Sequence, residues 1–229
     1  MDLKTDMRQT ILRTLVGSQA HGLATERSDF DYRSVFIYPT REILKLGSLS
    51  QTSQELEDAD SVAWEVEKFL LMAIKCNPTV LEVMRAPASR PSQASFDYTL
   101  GSQLQELFPF VWNSVGVKNA FCGYAFNQRK KFLNKTDTRG PKYAVAHLRV
   151  LYTAWELLTT GTFSVDMSTS GVYQTLKNWK AGNYTVGEVL EVTEIWEKNV
   201  NQAFEENPHK ETDLEEVNKF LVGLRKKNW

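Results

Sequence analysis

The feature that most constrains this chain is a Gly-Ser bend followed by two closely spaced aspartates. The segment Gly17–Gly22 (GSQAHG) follows an apolar run, and Asp29 and Asp31 come after a short gap. Glycine tolerates backbone conformations that other residues avoid, so the apolar run is predicted to be a strand that ends in a tight turn. Asp29 begins a second strand-like run, rich in aromatic and β-branched residues, that extends to Tyr38. The fold must therefore bring a backbone bend close to two carboxylates.

Length and composition place the chain among ordinary globular proteins. Its 229 residues are enough to bury a substantial core. A net charge of −1 gives no global field for nucleic acids or membranes, although a local basic face would suffice for nucleic acid. Two cysteines are too few for a disulfide framework. The N-terminal segment does not resemble a signal peptide and no run approaches the length of a membrane span, so we expect a cytoplasmic protein with no membrane partner.

The hydrophobic pattern predicts an α+β fold in two parts. A third strand candidate covers residues 61–66, and an amphipathic helix follows it. Beyond about residue 95 the apolar period is helical. The sequence thus predicts a small mixed β-sheet module with flanking helices over 1–95, followed by a helical bundle over 96–229. The predicted helices of the bundle are 117–132, 142–159, 185–204 and 213–227; a short helix is predicted over 5–12 and a strand-like segment at 163–165.

The two aspartates have the spacing of metal ligands. Alternate residues of a strand point to the same side, so Asp29 and Asp31 are predicted to share a face. Magnesium is usually held by one or two carboxylates together with substrate phosphates, and a two-metal site needs a further carboxylate from a neighbouring strand. Asp60 and Glu65 are the candidates. They are an odd number of positions apart, so only one of them is expected to face the site. We favour Asp60. A solvated strand edge explains an isolated Asp-x-Asp, but the nearby bend favours a metal site.

The Gly-Ser bend is predicted to bind phosphate groups. Gly17 lets a ligand approach the main chain, and Ser18 offers a hydroxyl and an N–H group. A helix that begins near Gln19 would add the favourable dipole of its N-terminus. The bend is not a Walker P-loop, because no Gly-Lys-Ser/Thr follows it. An ordinary strand-to-helix turn remains the alternative.

Together these residues resemble the nucleotidyltransferases of the DNA polymerase β superfamily, whose pattern is Gly-Ser, a gap, Asp-x-Asp and a later third acid. Within that superfamily the chain resembles the bacterial and phage family of polymerase-β-type nucleotidyltransferases of an RNA repair pathway. The resemblance covers nearly the whole chain, and it rests on the segments 17–39, 60–84, 123–128 and 142–165.

This resemblance implies transfer of a nucleoside monophosphate from an NTP, with ATP favoured, to an acceptor hydroxyl, with magnesium or manganese as cofactor. It implies that Asp29, Asp31 and Asp60 bind the metals and carry catalysis, and that the helical half closes over the nucleotide. The predicted nucleotide-binding residues are Gly17, Ser18, His21, Arg33, Lys142 and Arg149.

The acceptor is left open by the sequence. An RNA or tRNA 3′ end is favoured, and a protein or small-molecule hydroxyl is the alternative. A module that binds nucleotides without catalysis is a third hypothesis, and the sequence contains no indication of oligomeric state.

Overall fold

The computed structural model describes residues 8–46, 53–55, 62–89, 98–134 and 138–229, with the backbone alone for 53–55 and 98. It is an α+β protein in which a small mixed sheet adjoins a larger set of helices. The predicted fold class is therefore confirmed. The predicted domain boundary near residue 95 and the predicted third acid, Asp60, both lie outside the described residues.

Four strands form the sheet within the described ranges. They are β1 (Gln9–Val16), β2 (Asp31–Ile37), β3 (Ser53–Glu55) and β4 (Val62–Glu65). Their order across the sheet is β1-β2-β4-β3; the β2–β4 pair is parallel and the other two pairs are antiparallel. The short β3 was not predicted, since residues 40–58 have a polar, loop-like composition.

The first strand corrects the helix that we predicted over residues 5–12. Residues 9–12 belong to β1, while residues 5–7 lie outside the described part of the chain. Ile11 and Leu12 are both fully buried because the pairing register shifts at an irregularity between Thr10 and Leu12. Consecutive buried residues imitate a helical pattern, but pairing with β2 determines the conformation.

The helical part agrees with the predicted bundle and adds shorter helices to it. The predicted strand at 163–165 is wrong: Phe163 and Val165 are buried as irregular chain without a strand partner in the described residues. No helix of the described ranges has the length and apolar character needed to cross a bilayer. The helices of these ranges are α1 (Gly17–Ala20), α2 (Thr40–Ile43), α3 (Val66–Ala73), α4 (Pro78–Arg85), α5 (Tyr98–Glu106), α6 (Phe108–Val111), α7 (Ser114–Leu133), α8 (Gly140–Thr160), α9 (Tyr173–Lys180), α10 (Val186–Glu206) and α11 (Leu214–Lys227).

Helix α8 is the central element of the helical part. One of its sides contributes Leu151 and Leu157 to the core shared with the sheet. Another side contributes Leu148 to a second apolar cluster, which includes Trp179 of α9 and Val189 of α10. A helix buried on several sides is held rigidly, so its remaining polar side chains have a defined position. Gly161, with φ of +77°, ends α8 in the left-handed conformation.

A buried ion pair joins α11 to the end of β4. Arg225 Nη1 lies 2.8 Å from Glu65 Oε1, and Arg225 Nη2 lies 3.5 Å from Glu67 Oε2. Glu65 is the N-cap of α3, where its carboxylate accepts a hydrogen bond of 2.8 Å from the N–H of Glu67. Thr40 N, at the start of α2, donates a hydrogen bond of 2.6 Å to the carbonyl of Asn228, the residue that follows α11.

We expect Glu65→Gln to lower the free energy of unfolding by roughly 3 kcal/mol, because it leaves a largely buried guanidinium without its main partner. Glutamine keeps a side-chain oxygen that can accept the hydrogen bond from Glu67 N, so the loss of stability measures the effect of removing the charge. Glu67→Gln is the matched control: its side chain is 54% exposed, and we expect an effect below about 1 kcal/mol. Urea denaturation measures both, and equal effects would contradict the prediction.

Candidate active site

A cleft of about 790 Å³ opens between the bend that follows β1 and the helical part of the protein. Residues from α1, the start of β2, α4, α7, α8 and α9 line it. It contains the sequence-predicted residues that the structure describes, namely Gly17, Ser18, His21, Asp29, Asp31, Arg33, Lys142 and Arg149. Residues widely separated in sequence thus converge on one polar cavity.

The bend lies directly against one of the predicted metal ligands. Val16, the last residue of β1, pairs with Asp31, the first residue of β2. Gly17 follows with φ of +68°, and a Cβ atom at this position would lie 2.3 Å from Asp31 Oδ2. Only a glycine therefore satisfies both the backbone conformation and the space that the carboxylate occupies.

The helix after the bend is shorter than we expected. α1 begins at Gly17 rather than near Gln19, and it ends after a single turn at Ala20. Gly22, with φ of +66°, lies just beyond it. A single turn aligns few peptide dipoles, so individual N–H groups and the Ser18 hydroxyl, rather than a helix dipole, are available to an anion here.

Asp29 and Asp31 reach the same cleft from different local structures. Asp29 is exposed and precedes β2, whereas Asp31 is partly buried and lies within it; the predicted strand therefore begins two residues too early. The alternation argument for a shared face does not apply to Asp29, yet both residues line the cavity. Two carboxylates in a polar cleft are a donor set suited to magnesium, which also takes phosphate oxygens and water.

The described residues contain no group of three or more acidic, histidine or cysteine side chains arranged to hold a metal ion. The alternative third acid, Glu65, does not line the cleft, and its carboxylate is engaged with Arg225 and the start of α3. In the parallel β2–β4 ladder Glu65 pairs with Phe36, near the opposite end of β2 from Asp31. Glu65 therefore has a structural position away from the two aspartates.

Basic side chains dominate the remaining walls. Lys142 and Arg149 lie two turns apart on α8, with Val145 and Ala146 between them on the face that lines the cleft. The charged lining residues are the cations Arg27, Arg33, Arg139, Lys142, Arg149 and Lys180 and the carboxylates Asp29, Asp31 and Glu82. This surplus of positive charge suits a ligand that carries several negative charges.

One cation of the wall is held by a buried carboxylate. Glu82 of α4 forms an ion pair with Arg149, and its Oε2 lies 3.6 Å from His21 Nε2. Burial raises the pKa of Glu82, but the Arg149 charge and the contacts with His21 outweigh burial and lower the pKa to about 2. Burial, together with the charge of Arg149, lowers the pKa of His21. At neutral pH the group is therefore a carboxylate, a guanidinium and a neutral imidazole.

The helical part also fixes the loop that follows the bend. Met167 N donates to the carbonyl of His21 at 3.1 Å, and the Tyr173 hydroxyl donates to the carbonyl of Gly22 at 3.0 Å. Lys180 Nζ donates to the carbonyl of Leu23. These contacts join the predicted phosphate-binding bend to α9 and to the segment before it.

Sequence analysis missed Glu82 and Lys180. Glu82 is an isolated acid in the apolar stretch of α4, and a buried acid of this kind implies a buried cation nearby; that signal was available. Lys180, at the end of α9, looks like an ordinary helix-terminal lysine, and only its contact with Leu23 places it at the cleft. Arg27 and Arg139 lie in irregular segments without a motif.

Gly17→Ala is expected to lower the free energy of unfolding by about 1–2 kcal/mol through the left-handed backbone alone, and to displace the Asp31 carboxylate further. Gly123→Ala in α7 is the control, because a Cβ there meets nothing within 4 Å. Alanine favours a helix interior, so this control is expected to be unchanged or more stable, by up to about 1 kcal/mol. Denaturant titration compares the two variants. Equal stability of both would refute the predicted strain and overlap with Asp31 at position 17.

Comparison with known proteins relates the chain to a phage protein and to a protein family. The chain is 21% identical over 139 residues to the uncharacterized 38.9 kDa protein in the nrdC-mobD intergenic region of enterobacteria phage T4. The match covers 54% of this chain and 39% of the phage protein. A sequence model of the RNA repair pathway DNA polymerase beta family matches residues 3–223. Because this match spans nearly the whole chain, the protein belongs to the RNA repair pathway DNA polymerase beta family.

Proposed function

We propose that the protein is a metal-dependent nucleotidyltransferase, which transfers a nucleoside monophosphate from an NTP to an acceptor hydroxyl and releases pyrophosphate. The observation that carries this proposal is the cleft in which the Asp31 carboxylate lies against the Gly17 bend, with Asp29 and a surplus of cations around it. Membership in a family named for DNA polymerase beta supports the same reaction class.

Asp60 is proposed as the third acid. The alternative acid, Glu65, pairs with Phe36 in the parallel ladder and does not line the cleft. The position of Glu65 therefore leaves Asp60 as the acid that we propose for this role.

Asp29, Asp31 and Asp60 would hold magnesium or manganese, which would activate the acceptor hydroxyl and offset charge on the triphosphate. The chain's own groups bind and orient the substrate. The N–H groups and hydroxyl of the bend contact phosphate oxygens, while Lys142 and Arg149 neutralise charge from the facing wall. The acceptor oxygen then bonds to the α-phosphorus, the bond to the bridging oxygen breaks, and pyrophosphate and the hydroxyl proton leave.

An RNA or tRNA 3′ end is the proposed acceptor and ATP the proposed donor. The family's connection with RNA repair supports an RNA acceptor, and the basic lining supports a polyanionic substrate pair. Positioning by fixed charges suffices for this chemistry, so no covalent enzyme intermediate is required.

The decisive experiment incubates the protein with each α-labelled NTP, magnesium or manganese, and separate pools of RNA, tRNA, protein and small molecules. We expect label from ATP in the RNA or tRNA pool. Label in protein or small molecules would identify a different acceptor, and no transfer from any NTP to any pool would contradict an enzymatic function.

Asp31→Asn and Asp29→Asn are each expected to reduce transfer by at least about 100-fold, because each removes a carboxylate that would hold a metal ion acting on the transferring phosphoryl group. Asp213→Asn is the matched control: Asp213 caps α11 by accepting a hydrogen bond of 3.1 Å from Glu216 N, and asparagine caps equally well. Manganese binding, measured by electron paramagnetic resonance, should be lost with Asp29→Asn/Asp31→Asn. Retained transfer by this double variant would overturn the assignment of the two aspartates.

A further inference from the structure

His21 occupies an unusual position in the wall of the cleft. It follows the bend directly, and its side chain is 10% exposed. Among the described residues, no group forms a hydrogen bond with its Nε2 atom, and Glu82 Oε2 at 3.6 Å is beyond hydrogen-bond distance. A buried ring nitrogen without a hydrogen-bond partner, in a cavity with a surplus of cations, indicates that another group completes its environment.

Charged groups from three helices act on the imidazole. Arg149 of α8 and Lys180 of α9 disfavour a second proton on the ring, and Glu82 of α4 favours one. Burial is the largest influence, and it also opposes the charged form. Arg149 is already paired with Glu82, whereas Lys180 donates to a carbonyl that carries no net charge. The balance holds the ring neutral, but an added negative charge would reverse it.

We propose that His21 is a proton-linked part of the anion subsite: when a polyphosphate binds in the cleft, His21 takes up one proton and becomes imidazolium. The nature of the ligand rests on the proposed function. An anion beside Arg149 and Lys180 compensates the two charges that keep His21 neutral, so the imidazolium form becomes more favourable. Reciprocally, protonation of His21 strengthens anion binding by the same factor.

The sign of the pH dependence follows from this linkage. The pKa of free His21 is below its usual value, and a bound anion raises it. Affinity for the anion therefore increases as the pH falls through the pKa of the complex, and it levels off below the pKa of the free protein. A rise of one pKa unit corresponds to about tenfold tighter binding.

The test uses inorganic tripolyphosphate in the presence of EDTA, which removes any effect of a metal ion. Binding is measured by calorimetry at about pH 8 and about pH 5.5 for the full chain and for His21→Gln. We expect the gain in affinity at the lower pH to be larger in the parent protein, by up to about tenfold. Protonation of the ligand itself affects both proteins equally and cancels in the comparison. An equal pH response of the two proteins would refute the proposal.

His209→Gln is the matched control. His209 Nε2 contacts the carbonyl of Trp112 at 2.7 Å, and His209 does not line the cleft. This variant should show the pH response of the parent.

Nuclear magnetic resonance measures the protonation of His21 in the parent protein itself. The chain contains three histidines, and the ring signal lost in His21→Gln identifies His21. Its titration midpoint should rise when tripolyphosphate is present, while that of His147, which does not line the cleft, stays unchanged. An unchanged midpoint, or no binding of tripolyphosphate at either pH, would overturn the inference. If tripolyphosphate binding is coupled to proton uptake but no nucleotidyl transfer is detected, the proposed function is refuted and the proton linkage of His21 stands.

Discussion

The close contact between the Gly17 bend and the Asp31 carboxylate determines the arrangement of this protein's cleft. The antiparallel register of β1 and β2 pairs Val16 with Asp31, so the chain must turn immediately beside the acid. A side chain at position 17 would overlap with Asp31 Oδ2, and φ of +68° is unfavourable for residues other than glycine. One backbone constraint thereby sets the distance between the proposed phosphate-binding turn and a carboxylate that we propose as a metal ligand.

The second constraint is the balance of charge on the opposite wall. α8 is rigid because it is buried between two apolar clusters, and it presents Lys142 and Arg149 to the cleft. A buried guanidinium needs a partner, and Glu82 provides it without leaving the wall. The imidazole of His21 lies next to this pair and remains neutral. The Glu82–Arg149 pair and the neutral imidazole thus make the cleft less positive than its basic residues alone would make it.

Prediction from sequence succeeded where the signals were local. The long helices and the strand that contains Asp31 were predicted from sequence, and the structure contains them as α7, α8, α10, α11 and β2. The errors occurred where tertiary contacts decide. Residues 9–12 form a strand because β2 pairs with them, and Phe163 and Val165 are buried in the core without being in a strand. Glu65, the less favoured of the two candidate third acids, does not line the cleft and pairs with Arg225, a residue 160 positions later in the chain.

The sequence alone determined the chemistry available to this protein: a glycine where the chain must turn, carboxylates after it, and basic residues repeated along one helix. These are properties of residue type and spacing, which the chain carries before it folds. Only the tertiary structure decided which charges meet. Glu82 with Arg149, and Lys180 with the loop after the bend, are brought together by packing between elements distant in sequence. Such pairings depend on how buried surfaces fit each other, and no local pattern encodes that fit.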